Sequence, residues 1–117
     1  MNAQTKATKA LERVVNATTW QTVRDMLKAS PTVEEVEVAR GPQRVAYLVH
    51  PAGCVDHETA IAVTLEVAFG QPRVRMSHGS RRIESPADAL AQAQAMVTAA
   101  SLMAQLNSCL LAAMAEE

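Results

Sequence analysis

The feature that most constrains the fold is a run of 27 residues without Asp, Glu, Lys or Arg, from Ala89 to Ala115. Before it stands Ser85-Pro86-Ala87-Asp88, which offers a serine N-cap, a proline at the first helical position and an acid in the first turn. The sequence therefore predicts a long helix over residues 85–116. Such a helix would be about 45 Å long, so it either extends past its own domain or breaks, and Asn107-Ser108 is the favoured break point.

On a helical projection, five polar residues of this run gather in a wedge of about 80° and leave two mainly apolar sides. These five are Gln94, Thr98, Ser101, Gln105 and Ser108. One side carries Val97, Ala100, Ala104, Leu111 and Met114. The other carries Ala99, Leu102, Leu106, Leu110 and Ala113, with Met103 between the two sides. One sheet covers only one side of a helix, so the second needs another cover. We expect that second cover to be a partner chain bound at Ala99, Leu102, Met103, Leu106, Leu110 and Ala113.

A membrane span is the first alternative for this run, because about 20 apolar residues suffice to cross a bilayer. Gln, Asn, Ser and Thr interrupt the run, and no basic cluster flanks it. Small residues let helices approach closely, and methionine adapts to irregular partners. We therefore expect no membrane contact and a two-fold homodimer, with the N-terminal helices as the alternative cover.

The rest of the chain predicts helices first and strands afterwards. Residues 1–30 show helical spacing, with a restart at Thr18 because Thr18-Thr19-Trp20-Gln21 has capping-box form; one bent helix fits equally well. Residues 33–78 alternate with a period of two and contain three turn signals, which predicts a four-stranded antiparallel sheet. The clearest strand is residues 60–69. The expected fold is a single two-layer α+β domain over residues 1–117.

Two basic stretches suggest nucleic-acid binding. The N-terminal helices carry scattered Lys and Arg, and Arg73, Arg75, Arg81 and Arg82 follow one another with no acid between them. Cross-strand pairing with Glu66, or with Glu35 or Glu37 further over, explains Arg73 and Arg75 more simply. Arg81 and Arg82 have only Glu84 near them, so they are the candidates for contact with an external molecule. A nucleic-acid-binding regulator is therefore one alternative function.

The segment HPAGCVDHE, residues 50–58, contains side chains that bind metals or act as nucleophiles. His50, Cys54 and His57 suit zinc, and His78 or Asp56 would complete four ligands. The spacing matches no standard zinc motif, and Pro-Ala-Gly is typical of an inter-strand loop. Cys54 beside His57 also resembles a nucleophile and base, but no oxyanion or phosphate-binding motif accompanies them. A metal-dependent enzyme at these residues is the second alternative, and we expect no catalytic, cofactor or metal site.

Composition favours a protein that acts by contact with other proteins. The 11 basic and 12 acidic residues nearly balance, and only three residues are aromatic, which disfavours nucleic-acid, sugar and aromatic-cage binding. The chain shows no secretory signal, and its two cysteines are expected to be free thiols. We therefore expect a cytoplasmic, non-enzymatic binding or regulatory protein, of the type of phage-encoded inhibitors, immunity proteins or chaperones.

Overall fold

A computed structural model describes residues 3–37, 45–52, 59–68, 70–78 and 83–115. Its elements, in chain order, are α1 (Ala3–Asn16), α2 (Thr18–Lys28), β1 (Val33–Glu37), β2 (Val45–Val49), β3 (Ile61–Ala68), β4 (Gln71–His78) and α3 (Pro86–Ala115). This is the α+β arrangement that the sequence predicts: two N-terminal helices, a four-stranded antiparallel sheet and one long C-terminal helix.

The four strands form an antiparallel meander in the order β1-β2-β3-β4. The register aligns Glu35, Tyr47, Val63 and Met76 in one row across the sheet. Because side chains in one row point to the same face, Glu35 lies on the face that carries the buried valines. Alternation in β1 therefore places Val36 on the outer face, together with Glu66, Arg73 and Arg75.

The N-terminal region forms two helices, and the restart at Thr18 is confirmed. The capping box is not formed, because Ala17 is the N-cap of α2 and makes no side-chain cap hydrogen bond. Gln21 instead turns back, and its Nε2 donates to the carbonyl oxygen of Val15 at 2.8 Å. This bond satisfies an acceptor at the end of α1 and holds the corner between the two helices.

The long helix α3 begins as its sequence predicts and continues without a break. Ser85 caps it, since its Oγ accepts a hydrogen bond from the Asp88 backbone N–H at 3.0 Å. Of the two alternatives drawn from the sequence, extension past the domain and a break at Asn107-Ser108, the break is wrong: α3 is helical from Pro86 to Ala115, because buried side chains continue on both sides of that pair. The protein is accordingly elongated, with extents of 52 × 27 × 21 Å and a radius of gyration of 15.1 Å, against about 13 Å for a compact chain of this length.

All three helices pack on one face of the sheet, and a shared core lies between these layers. α3 contacts β2, β3 and β4, while α1 lies against α3 and α2 lies against β1. The largest fully buried side chains are Trp20, Tyr47, Leu11, Ile61 and Leu65. The ring of Trp20 contacts that of Tyr47 edge to face, with centroids 5.5 Å apart. Aromatic pairs prefer this geometry to face-to-face stacking.

Candidate functional site

One side of α3 belongs to the protein's own core. Its buried residues recur every three or four positions: Gln92, Ala95, Ala99, Leu102, Leu106, Leu110 and Ala113. Five of the six residues that the sequence assigned to a partner interface are in this set, and Met103 is half-buried against the same core. That assignment is therefore corrected, because side chains such as Leu106, 0% exposed, already contact this chain's own sheet and helices.

The opposite side of α3 is exposed and apolar. Leu90, Val97 and Leu111 are 60%, 70% and 68% exposed, and the alanines at 93, 100 and 104 are exposed between them. Leu90 and Ala93 are exposed on this side, although the helical projection of the sequence assigned them to neither of its two apolar sides. A signal was available in Leu90, which lies seven residues before Val97 and therefore on nearly the same side of the helix.

The spacing along this exposed side is that of a coiled coil. Residues Leu90, Ala93, Val97, Ala100, Ala104, Asn107, Leu111 and Met114 follow one another at intervals of three and four, which we call the outer seam. Two positions in each heptad thus fall on one stripe of the helix, the repeat that lets two helices wrap around each other. Six of the eight residues are exposed, and Asn107 and Met114 are half-buried.

The first turns of α3 receive little support from the rest of the protein. Ala87, Ala89 and Leu90 are exposed, and the first buried residue of the helix is Gln92. Gln92 Oε1 lies 3.4 Å from His78 Nε2 at the end of β4. The helix therefore extends past the sheet at its N-terminal end, where Leu90 begins the outer seam.

By length and composition, α3 also qualifies as a membrane-crossing helix among the described residues. An 18-residue window of it has a mean hydropathy of 1.4, and 33% of that window is buried inside the protein. Core helices of water-soluble proteins have the same character. About two thirds of that apolar window therefore lies outside the core of the protein.

A polar cluster joins α2 to the sheet at Glu35. Arg24 Nε lies 2.9 and 3.1 Å from the two carboxylate oxygens of Glu35, and the Tyr47 hydroxyl donates to Oε1 at 2.9 Å. Burial first, and then the bond to Glu35, raise the pKa of Tyr47 well above the usual tyrosine value. The hydrogen bond and charge of Glu35 raise the pKa of Arg24. The cluster is satisfied within the chain, which is typical of a structural contact.

A second charged cluster lies on the outer face of the sheet. Glu66 is 6% exposed, and its Oε1 lies 3.1 Å from Arg73 Nε and 3.2 Å from Arg75 Nε. The expected pairing of these arginines with Glu66 is therefore present. Pairing with Glu35 is not formed, because Glu35 lies on the opposite face and contacts Arg24. Arg81 and Arg82 lie outside the described residues.

The cluster at residues 50–58 is described only in part, because Cys54, Asp56 and His57 lie outside the described residues. His50 Nε2 lies 3.1 Å from Glu34 Oε2, and His78 contacts α3. Within the described ranges, no group of three His, Cys, Asp or Glu side chains is arranged to hold a metal ion. Of the two cysteines, Cys109 is free and half-buried, as expected.

A cleft of about 720 Å³ lies where α1 and α2 meet the last turns of α3. Lys9, Arg13, Thr18 and Thr19 line it together with Cys109. Two cations beside two hydroxyls could attract an anion, but Glu12 also lines the cleft and offsets part of their charge. Its charge is therefore mixed, and charge alone does not make it an anion site.

Comparison of the chain with protein-family models, with curated proteins and with solved structures finds no significant match. The outer seam is the feature of the described surface that most needs an explanation, because its apolar residues are continuous and uncharged over most of α3.

Proposed function

We propose that the protein is non-enzymatic and acts as a binding or regulatory protein through protein–protein contact, with the outer seam of α3 as the contact surface. The observation that carries this proposal is the exposure of Leu90, Val97 and Leu111, each 60% exposed or more, on one uncharged stripe. Contiguous exposed apolar patches mark interaction sites, whereas single exposed apolar residues need no explanation.

The charged clusters support the proposal by weakening its alternatives. Arg24 contacts Glu35, Arg73 and Arg75 contact Glu66, and His50 contacts Glu34. Charges that satisfy one another stabilise the fold and are less available to phosphates or to a reacting group. The nucleic-acid and enzyme alternatives therefore draw less support from the described residues than protein contact does.

The test is photo-crosslinking in the native host with a photoreactive phenylalanine at one of two positions on α3. Val97 lies on the outer seam, and Gln105 is an exposed residue of the polar wedge. We expect a covalent adduct to a protein chain, mapped by mass spectrometry, from position 97 and none from position 105. Equal adducts from both positions, or none from position 97, would refute the proposed contact surface.

A further inference from the structure

We propose that the occupant of the outer seam is a second copy of this chain, with the two α3 helices antiparallel and crossing where Ala100 of one copy meets Ala104 of the other. This inference rests on the proposed function, since it names the partner at the same surface. The proposed contact uses only the residues of the outer seam, and the core side of α3 stays packed on the protein's own sheet.

The outer seam suits a helical partner. Its residues keep to one stripe at intervals of three and four from Leu90 to Met114, and the alanines near its centre let a second helix approach closely. The stripe is about 36 Å long and one helix, about 10 Å, wide. Two copies thus offer about 700 Å² of projected surface. Accessible area exceeds projected area on corrugated side chains, so the contact approaches about 1,000 Å², the lower limit for a specific interface.

Charge favours a copy of α3 over an unrelated helix. A foreign partner helix is selected largely by charged residues beside its seam, and α3 has none between Asp88 and Glu116. Two uncharged helices approach each other without like-charge repulsion. The residues flanking the outer seam are serine, glutamine and methionine, which accept many neighbours.

Side-chain volume favours the antiparallel direction. In that direction Leu111 meets Ala93, Val97 meets Asn107, and Ala100 meets Ala104, while Leu90 meets Met114 at both ends. The layers are small at the centre and large at the ends, as in two helices that cross at an angle and diverge. A parallel pair would set each residue against its own copy, so that a Leu–Leu layer at position 90 would adjoin an Ala–Ala layer at position 93, although the axis separation that suits each differs by up to about 2 Å.

The first experiment measures mass and affinity by sedimentation equilibrium of the full chain from about 1 to 100 μM, a range that covers ordinary dimer affinities. We expect the mass to rise from the chain mass of 12.5 kDa at the lowest concentration toward twice that value at the highest. Val97→Glu should weaken the dimer by about 100-fold or more, because it buries an unpaired charge. Gln105→Glu adds the same charge outside the seam and should change the affinity by less than about threefold. Both variants should keep wild-type circular dichroism, because both positions are exposed.

The second experiment tests direction by disulfide trapping in a chain with Cys54 and Cys109 replaced by serine. In the antiparallel pair, position 93 lies beside position 111 of the other copy, and two copies of position 93 are about 27 Å apart. A mixture of Ala93→Cys and Leu111→Cys chains should form a covalent heterodimer on mild oxidation, and either chain alone should not. Ready dimers of the Ala93→Cys chain alone would overturn the antiparallel arrangement.

Two outcomes would refute a second copy as the partner but would keep the outer seam as a contact surface. A monomer at 100 μM whose position-97 adduct in the host is a different protein assigns the surface to a foreign partner. Binding of the monomer to phosphatidylcholine–phosphatidylglycerol vesicles, lost in Val97→Glu and kept in Gln105→Glu, assigns it to a membrane. Loss of both the dimer and every position-97 adduct refutes the proposed function as well.

Discussion

Two leucines of α3, five residues apart, provide a direct test of which side of the helix faces the core. Leu106 is 0% exposed and Leu111 is 68% exposed. We expect Leu106→Ala to destabilise the protein severely and Leu111→Ala to have a small effect on the isolated chain. Both substitutions replace one good helix former with another, so helix propensity contributes little to the difference.

The magnitudes follow from burial. Removing a fully buried leucine side chain costs about 2–5 kcal/mol, because transfer free energy is lost and a cavity remains. Fully burying a leucine contributes about 1.5–3 kcal/mol, and about one third of Leu111 is buried, so its truncation should cost about 0.5–1 kcal/mol. With a urea dependence of about 1.5–2 kcal/mol per molar, the midpoint should fall by about 1–3 M for Leu106→Ala and by about 0.3–0.7 M for Leu111→Ala.

The assay is urea unfolding at about 1 μM, followed by the fluorescence of Trp20, the only tryptophan and fully buried. At higher protein concentration, association should stabilise the wild type more than Leu111→Ala, because only the wild type retains the full outer seam. The Leu106→Ala midpoint should stay low at every concentration. Equal shifts at 1 μM, or a larger shift for Leu111→Ala, would refute the assignment of the two sides.

Two further predictions concern single contacts. The folded-state pKa of Tyr47 is raised above its unfolded value, so the protonated hydroxyl stabilises the fold fully below about pH 10, and this stabilisation is lost as pH rises further. Tyr47→Phe should abolish this alkaline loss when urea midpoints are compared at pH 8 and pH 11. Ionisation of this single tyrosine near pH 10 in the folded protein, measured by absorbance at 295 nm, would contradict the reasoning. Ser85→Ala removes the 3.0 Å cap to the Asp88 N–H and should cost about 1 kcal/mol, with faster amide exchange in residues 87–91. Ser108→Ala, exposed in mid-helix, is the control and should cost nothing.

The order and type of the elements were predictable because local chemistry determines them. Period-two alternation over residues 60–69 identified β3, which runs from Ile61 to Ala68, and Ser85 with Pro86 identified the start of α3. Asn107 and Ser108 suggested a break from propensity alone. Their helical preference is only slightly lower than that of alanine, about half a kcal/mol each, and the burial of Leu106 and Leu110 on either side exceeds that cost.

The inner face of β1 and the inner side of α3 were not predictable from periodicity. In β1, Glu35 faces the helices because Arg24 and Tyr47, both distant in sequence, satisfy its carboxylate. In α3, both apolar stripes repeat at nearly the same interval, so the period fits either one. Side-chain size was the signal that could have separated them, since the core stripe carries three leucines over its middle turns and the outer seam carries Ala100 and Ala104 there.

The orientation of α3 also depends on a polar residue of the core stripe. Gln92 is 8% exposed and contacts His78 on β4. Turning α3 so that the outer seam faced the sheet would separate this pair and expose Leu102, Leu106 and Leu110, at about 1.5–3 kcal/mol for each leucine. It would bury mainly Val97 and Leu111 in exchange, because Leu90 lies where the helix extends past the sheet. The larger leucines of the core stripe therefore pack on the sheet, and the small Ala100 and Ala104 remain at the centre of the outer seam, where a second helix can approach closely.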